Sequence, residues 1–244
     1  MYIWYNGRSS EELGLIIESF PAAQRGARRY TSQTFYGRDG SIYIDEAAYD
    51  DYEAKVVINC FGSAEPRDVY AWLNGSGWVT TSDAPDRKRW VRWYEAQSAK
   101  RWRTDGVYDS VTMSGIFEPF QYNLSEAPIA VSSGESIPGR GDWYACPLIT
   151  LTGRGDVLLR IGDAQILYEI GSTVKTIYLD TDARIAYTQA ADGTKTSAAL
   201  SGIDITLTSD DPAIRWGRLE YNAPTPISWT GSASLQILPR WRWF

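Results

Sequence analysis

The stretch QTFYGRDGSIYIDE, residues 33–46, decides the fold class. Ser41, Tyr43 and Asp45 alternate with Ile42 and Ile44. That period of two puts both isoleucines on one face of a strand. Just ahead, Gly37 and Gly40 bracket Arg38 and Asp39. Glycine supplies the positive φ that tight hairpin turns demand, so the stretch is predicted as a hairpin with a polar tip. Three readings of Arg38 and Asp39 stand open: catalysis, a grip on a partner, or closure of the turn alone.

The same signal recurs along the chain. EAKVVINCFG (53–62), RKRWVRWYEAQ (87–97), YDSVTMSGIFE (108–118), CPLITLTG (146–153) and GDVLLRIG (155–162) read as separate strands. QILYEIG (165–171), KTIYLDTD (175–182), RIAYTQA (184–190), IDITLTS (203–209) and LQILPRW (235–241) extend the series. Many short strands between turn residues argue for sandwiches or barrels, so the fold class is mainly β. One helix is predicted within AEPRDVYAWLNGSG (64–77). Pro66 suits its first position, Asp68 its first turn, and Val69, Trp72 and Leu73 form one apolar face. EELGLIIESF (11–20) reads as a turn and a short strand. From Glu118 to Asp142 the chain carries Pro119, Pro128 and Pro138 among scattered Ser and Gly, the composition of a linker. Two domains are therefore expected. Residues 1–124 form a barrel-like or α+β domain with the one helix, and residues 125–244 an all-β sandwich.

Composition narrows the function. The chain has 244 residues, a net charge of −6 and no histidine. The negative balance argues against general nucleic-acid binding, which needs Lys and Arg for the phosphates. Without histidine, Ser-His-Asp and Cys-His nucleophiles and HExxH zinc sites are excluded, while carboxylate pairs and lysine bases stay open. The Gly153-x-Gly155 pair has Leu158 where a dinucleotide fingerprint needs its third glycine. Asp50–Asp51 and Asp210–Asp211 are sequence neighbours, which point to opposite faces of a strand and make no glycosidase pair alone. Cys60 and Cys146 read as two separate buried thiols. The N-terminus lacks the pattern of a signal peptide and no apolar run reaches the length of a membrane span, so synthesis and folding in a cytoplasm are expected. No catalytic, metal-binding or cofactor-binding residues are predicted.

Charge and aromatics mark the candidate surfaces. Residues 87–103 hold seven Lys or Arg against one Glu, and Asp45, Glu46, Asp50, Asp51 and Glu53 form an acidic counterpart. Opposite patches can pair within one subunit or between neighbours, and a solvated strand face is the bland alternative. The candidate interface set is Arg38, Asp39, Asp45, Glu46, Asp50, Asp51, Arg87, Lys88, Arg89 and Arg92. The chain carries 11 Trp and 16 Tyr. Trp143, Trp216 and Trp229 are candidates for stacking on a sugar or a partner, set against simple core filling. The ending PRWRWF is expected to complete a terminal strand with Arg240 and Arg242 facing solvent.

The order of these pieces resembles the distal tail protein (Dit) family of long-tailed, non-contractile phages and prophages. The pieces are GRDG (37–40) before an alternating strand and an acidic stretch, then YEAKVVINC (52–60), a single helix and paired strands. After the Pro-rich break come PGRGDWYACPLITLTGRGDVLLRIGDAQILYEI (138–170), TIYLDTDARIAY (176–187), DGT (192–194) and LQILPRWRWF (235–244). The resemblance implies a homohexameric ring at the tail tip, with an N-terminal belt domain around a channel and a galectin-like C-terminal β-sandwich. It implies contacts with the tail tube protein above and the tail hub below, a platform for receptor-binding proteins, DNA only in transit, no membrane and no cofactor. The expected location is the virion tail tip, after assembly in the host cytoplasm. At this length there is no room for the inserted carbohydrate-binding modules of larger relatives. A stand-alone carbohydrate-binding sandwich is the alternative, and a glycoside hydrolase a third reading.

Overall fold

The structure, a computed structural model, describes residues 1–61, 64–102, 108–197, 203–206 and 217–244. It is mainly β with one α-helix, as the alternation predicts. Contacts divide the chain into two compact units, Met1–Leu124 together with Phe244, and Ser125–Trp243.

The first unit contains β1 (Ile3–Tyr5), β2 (Arg8–Ser9), β3 (Leu15–Ser19), β4 (Arg28–Thr34), β5 (Ser41–Tyr49), β6 (Tyr52–Cys60), β7 (Ser76–Thr81), β8 (Ala84–Trp102) and β9 (Tyr108–Asn123). One antiparallel sheet runs in the order β2-β1-β7-β8-β9-β6-β3. Its inner face supplies Ile3, Tyr5, Ile17, Ile58, Val79, Val91, Trp93 and Phe117 to a single core cluster. Helix α1 (Pro66–Trp72) covers that face. The helix starts at Glu65, whose backbone N–H donates to the Asp68 carboxylate at 2.8 Å, and Pro66 has no N–H to satisfy there. Val69, Trp72 and Leu73 are all buried in the core, worth roughly 1.5–3 kcal/mol for each apolar side chain removed from water. Residues 11–20 form a 3-10 turn, Glu11–Leu13, and then β3. β4 and β5 stand apart as a two-stranded sheet of their own.

The second unit contains β10 (Ile129–Val131), β11 (Ser136–Ile137), β12 (Leu148–Ile161), β13 (Ala164–Glu169), β14 (Lys175–Asp180), β15 (Ile185–Gln189), β16 (Lys195–Ser197), β17 (Ile203–Thr206), β18 (Thr225–Leu238) and β19 (Arg242–Trp243). β12 pairs with β14 along its first half, with β13 along its second half, and with β18 along both. One core cluster takes Ile149 and Leu151 from the first half of β12 and Val157, Leu159 and Ile161 from the second. The sheet must fold over itself at the irregularity between Arg154 and Leu158 to bring both halves to one core.

Three expectations change. CPLITLTG and GDVLLRIG are not two strands but one bent strand, β12. A Cβ on Gly153 would lie 2.6 Å from the Ser232 carbonyl oxygen, so glycine here permits close strand approach and a bulge rather than ending the strand. Much of the linker-like composition is also structured, since Glu118–Asn123 finishes β9 and β10 and β11 follow. Finally, Arg240 and Arg242 do not face solvent. Arg240 grips Asp180 with two hydrogen bonds of 2.7 and 3.0 Å, and Arg242, 9% exposed, donates to Asp182 at 2.6 Å. Two Asp side chains, Asp180 at the end of β14 and Asp182 in the turn after it, draw both cations inward. Cys60 and Cys146 are both buried thiols with no disulfide between them.

Candidate assembly surfaces

The β4–β5 hairpin is the most exposed part of the first unit. Its root is fixed by aromatic packing, with Tyr49 against Phe120 and Phe244 at ring distances of 5.8 and 5.2 Å. The Arg25 guanidinium lies 4.8 Å from the Tyr49 ring. Beyond the root, every residue from Arg29 to Gly40 is exposed. Cross-strand register puts Ile42 and Ile44 opposite Gln33 and Thr31 on one face, and Tyr43 opposite Ser32 on the other. The six-residue tip runs from Phe35 to Gly40 and holds Arg38 and Asp39 in solvent. The Arg38 backbone N–H closes its first turn on the Phe35 carbonyl. Gly37 and Gly40 both have positive φ, 78° and 77°.

Two carboxylates of the predicted acidic patch, Asp45 and Asp50, pair with arginines of this hairpin. Asp45 is held by both guanidinium donors of Arg28 and accepts the Ala47 N–H. The Arg28 hydrogen bond, then that backbone bond, bring its carboxyl below the usual range. Glu46 accepts from the Thr31 hydroxyl at 2.6 Å, and Asp50 pairs with Arg29 at 3.2 Å. Asp51 is exposed between β5 and β6.

The basic segment is likewise divided by strand alternation. Arg89 is 7% exposed and points inward, where its guanidinium bonds the Tyr52 hydroxyl and lies 5.9 Å from the Phe117 ring. Burial lowers its pKa. It belongs to the interior and not to a surface patch. Arg87 is partly covered beside Asp86, Lys88 sits 4.9 Å over the Trp78 ring, and Arg92 is exposed. Lys100, Arg101 and Arg103 lie outside the described side chains.

The outward face of β1, β7 and β8 carries a feature that charge reading missed. Trp78 and Trp90 are cross-strand partners packed edge to face at 5.1 Å, and Tyr122 meets Trp78 at 5.5 Å. Trp4 pairs with Thr80 on the next strand and is 40% exposed. Trp4, Trp78 and Trp90, together with Asn6, Gly7, Ser76, Pro85 and Leu124, line a groove of about 630 Å3. The signal lay in Trp78 and Trp90 at outward positions of two strands, but their pairing depends on the register of the β7–β8 turn.

The aromatic candidates of the second unit separate. Trp229 packs against the core, and its indole N–H donates to the Ala233 carbonyl at 3.2 Å, so its polar edge is used within the unit. Trp143 is half-buried and stacks on Tyr221 at 6.1 Å. Trp216, Asp210 and Asp211 lie outside the described residues. Among the described residues, no group of three His, Cys, Asp or Glu side chains is arranged to hold a metal ion, and no helix is long and apolar enough to cross a membrane.

No protein-family description matches the chain, and no curated protein matches it. Among solved structures, it shares the fold of the SPP1 Dit (gp 19.1) protein, described as a paradigm of the hub adsorption apparatus in phages infecting Gram-positive hosts. The TM-score is 0.68 at 16% identity, over 97% of each chain. Two structures of the phage P2 baseplate in its activated conformation, with Ca and with Sr, align over 97% of this chain and 96% of theirs. Both stand at 8% identity, with TM-scores of 0.46 and 0.43, too low to add to the argument. The Dit-like fold thus covers both units.

Proposed function

We propose that the protein is a structural, non-enzymatic component of a phage tail tip. It works as a homohexameric ring that joins the tail tube protein to the tail hub and carries receptor-binding proteins. The carrying observation is the fold shared with the SPP1 Dit protein over 97% of both chains. Residues 1–124 serve as the ring-forming belt domain, and residues 125–244 as a galectin-like domain that projects outward. DNA meets the ring only in transit. The exposed hairpin supports this reading. A two-stranded hairpin is at best marginally stable alone in water, and this one leaves Tyr30, Tyr36, Tyr43 and Ile44 about half or more exposed. Arg38, Asp39, Asp51 and Arg92 are exposed charged groups open to a neighbour.

The test is solution mass by light scattering over a concentration series, with negative-stain imaging. Six chains of 27.4 kDa form a particle of about 164 kDa, expected as a ring with an open centre. A strict monomer at high concentration, both alone and mixed with tail tube protein, would overturn the ring.

A further inference from the structure

We infer that the apolar groove of Trp4, Trp78 and Trp90 is the docking site for the β4–β5 hairpin tip, Phe35 and Tyr36, of a second copy of this chain. The inference rests on the ring reading and names the contact that closes each joint.

Four observations carry it. The tip offers two unused aromatic side chains, with Phe35 50% and Tyr36 109% exposed. The groove offers open aromatic surface of matching chemistry, about 630 Å3 lined by the exposed Trp4 and Trp78 and the part-buried Trp90. Buried aromatics dominate contact energetics because each removes roughly 150–250 Å2 from water. A chain cannot satisfy itself here, because residues 29–40 are all exposed and none rests in its own groove. The hairpin leads into β6, whereas the groove lies on β1, β7 and β8.

A donor arm and an acceptor groove are different surfaces of the same chain, so they make a heterologous contact, the kind that closes rings by rotation. The charges beside each element match as well. Lys88 over Trp78 faces the acidic Asp39 of an incoming tip, and the exposed Asp83 and Asp86 beside Pro85 receive Arg38.

The test places a photo-crosslinking residue at the tip, Tyr36→p-benzoylphenylalanine, in an equal mixture of light and heavy-nitrogen chains. Irradiation is expected to link light to heavy chains, at peptides containing Trp4, Ser76–Trp78 or Trp90. Crosslinks elsewhere on a second copy, in particles of intact ring mass, would overturn the groove assignment and leave the ring standing. No intermolecular crosslink and a monomeric mass would overturn both. A second variant, Phe35→Ser with Tyr36→Ser, changes only exposed side chains and keeps the monomer folded. It is expected to weaken assembly by about 30-fold or more, the scale of an aromatic hot spot. An unchanged assembly curve would refute the docking.

Discussion

Replacing Tyr168 by Phe should make the second unit more stable. Tyr168 sits on β13 with no exposed surface, and among the described residues its hydroxyl has no hydrogen-bond partner. Burial alone pushes its phenol pKa up, so the group stays neutral at any working pH. A buried hydroxyl without a partner costs about 1–3 kcal/mol relative to hydration. Phe keeps the ring and its packing against the core and removes only the oxygen. The space left, roughly 10–15 Å3, costs about 0.3 kcal/mol at 24 cal/mol per Å3. The net gain is about 1–2.5 kcal/mol, or a rise of several degrees in the melting temperature of this unit. Urea unfolding followed by near-ultraviolet circular dichroism measures it, because the m-value checks that the denatured state has not changed. A loss of more than about 0.5 kcal/mol would refute the reasoning, since it would mean that the hydroxyl holds a partner, such as a buried water.

Two further outcomes test the second unit. Burial raises the Asp180 pKa, but hydrogen bonds from Arg240 and from the Ala183 and Asp182 N–H groups outweigh it and leave the carboxyl below the usual carboxylate range. A depressed folded pKa gives stability that is present above the unfolded value near 3.9 and lost as pH falls through the folded value. Arg240→Ala should therefore cost about 1–3 kcal/mol at neutral pH and flatten the loss of stability below about pH 4, read from thermal melts across pH; parallel acid limbs for the two proteins would contradict this. Gly153→Ala would place a methyl against the Ser232 carbonyl and should cost about 1–3 kcal/mol as the β12–β18 pair spreads, with an unchanged urea midpoint as the refuting result.

How much of this was readable from the residues depends on the range of the interaction. Local signals sufficed for the alternation of Ser41–Asp45 and for helix α1, where Pro66, Asp68 and the 69/72/73 face all agree. They failed where a distant strand decides. Gly153 and Gly155 look like a turn, but pairing with β18 on both sides of the irregularity between Arg154 and Leu158 carries β12 through them. Arg240 and Arg242 look like a solvated ending, but Asp180 and Asp182, some sixty residues earlier, draw them in. Charge counting marked 87–103 as a basic segment, whereas alternation sends Arg89 inward beneath Tyr52 and leaves Arg92 outside. The groove depends on Trp78 facing Trp90, and a slip of one residue in that register would turn one of them to the core.

The membership of Phe244 in the first unit has a consequence for synthesis. Its ring completes the cluster of Tyr49 and Phe120, yet the whole second unit precedes it along the chain. Translation at roughly 5–20 residues per second makes that delay on the order of 10 s. During that interval the nascent first unit lacks the ring that caps the root of its arm. The hairpin is thus braced only after the second unit has emerged, so a half-made chain carries a loosely anchored arm. Order of emergence, written into the thread of the chain, delays a firm arm until both units are present.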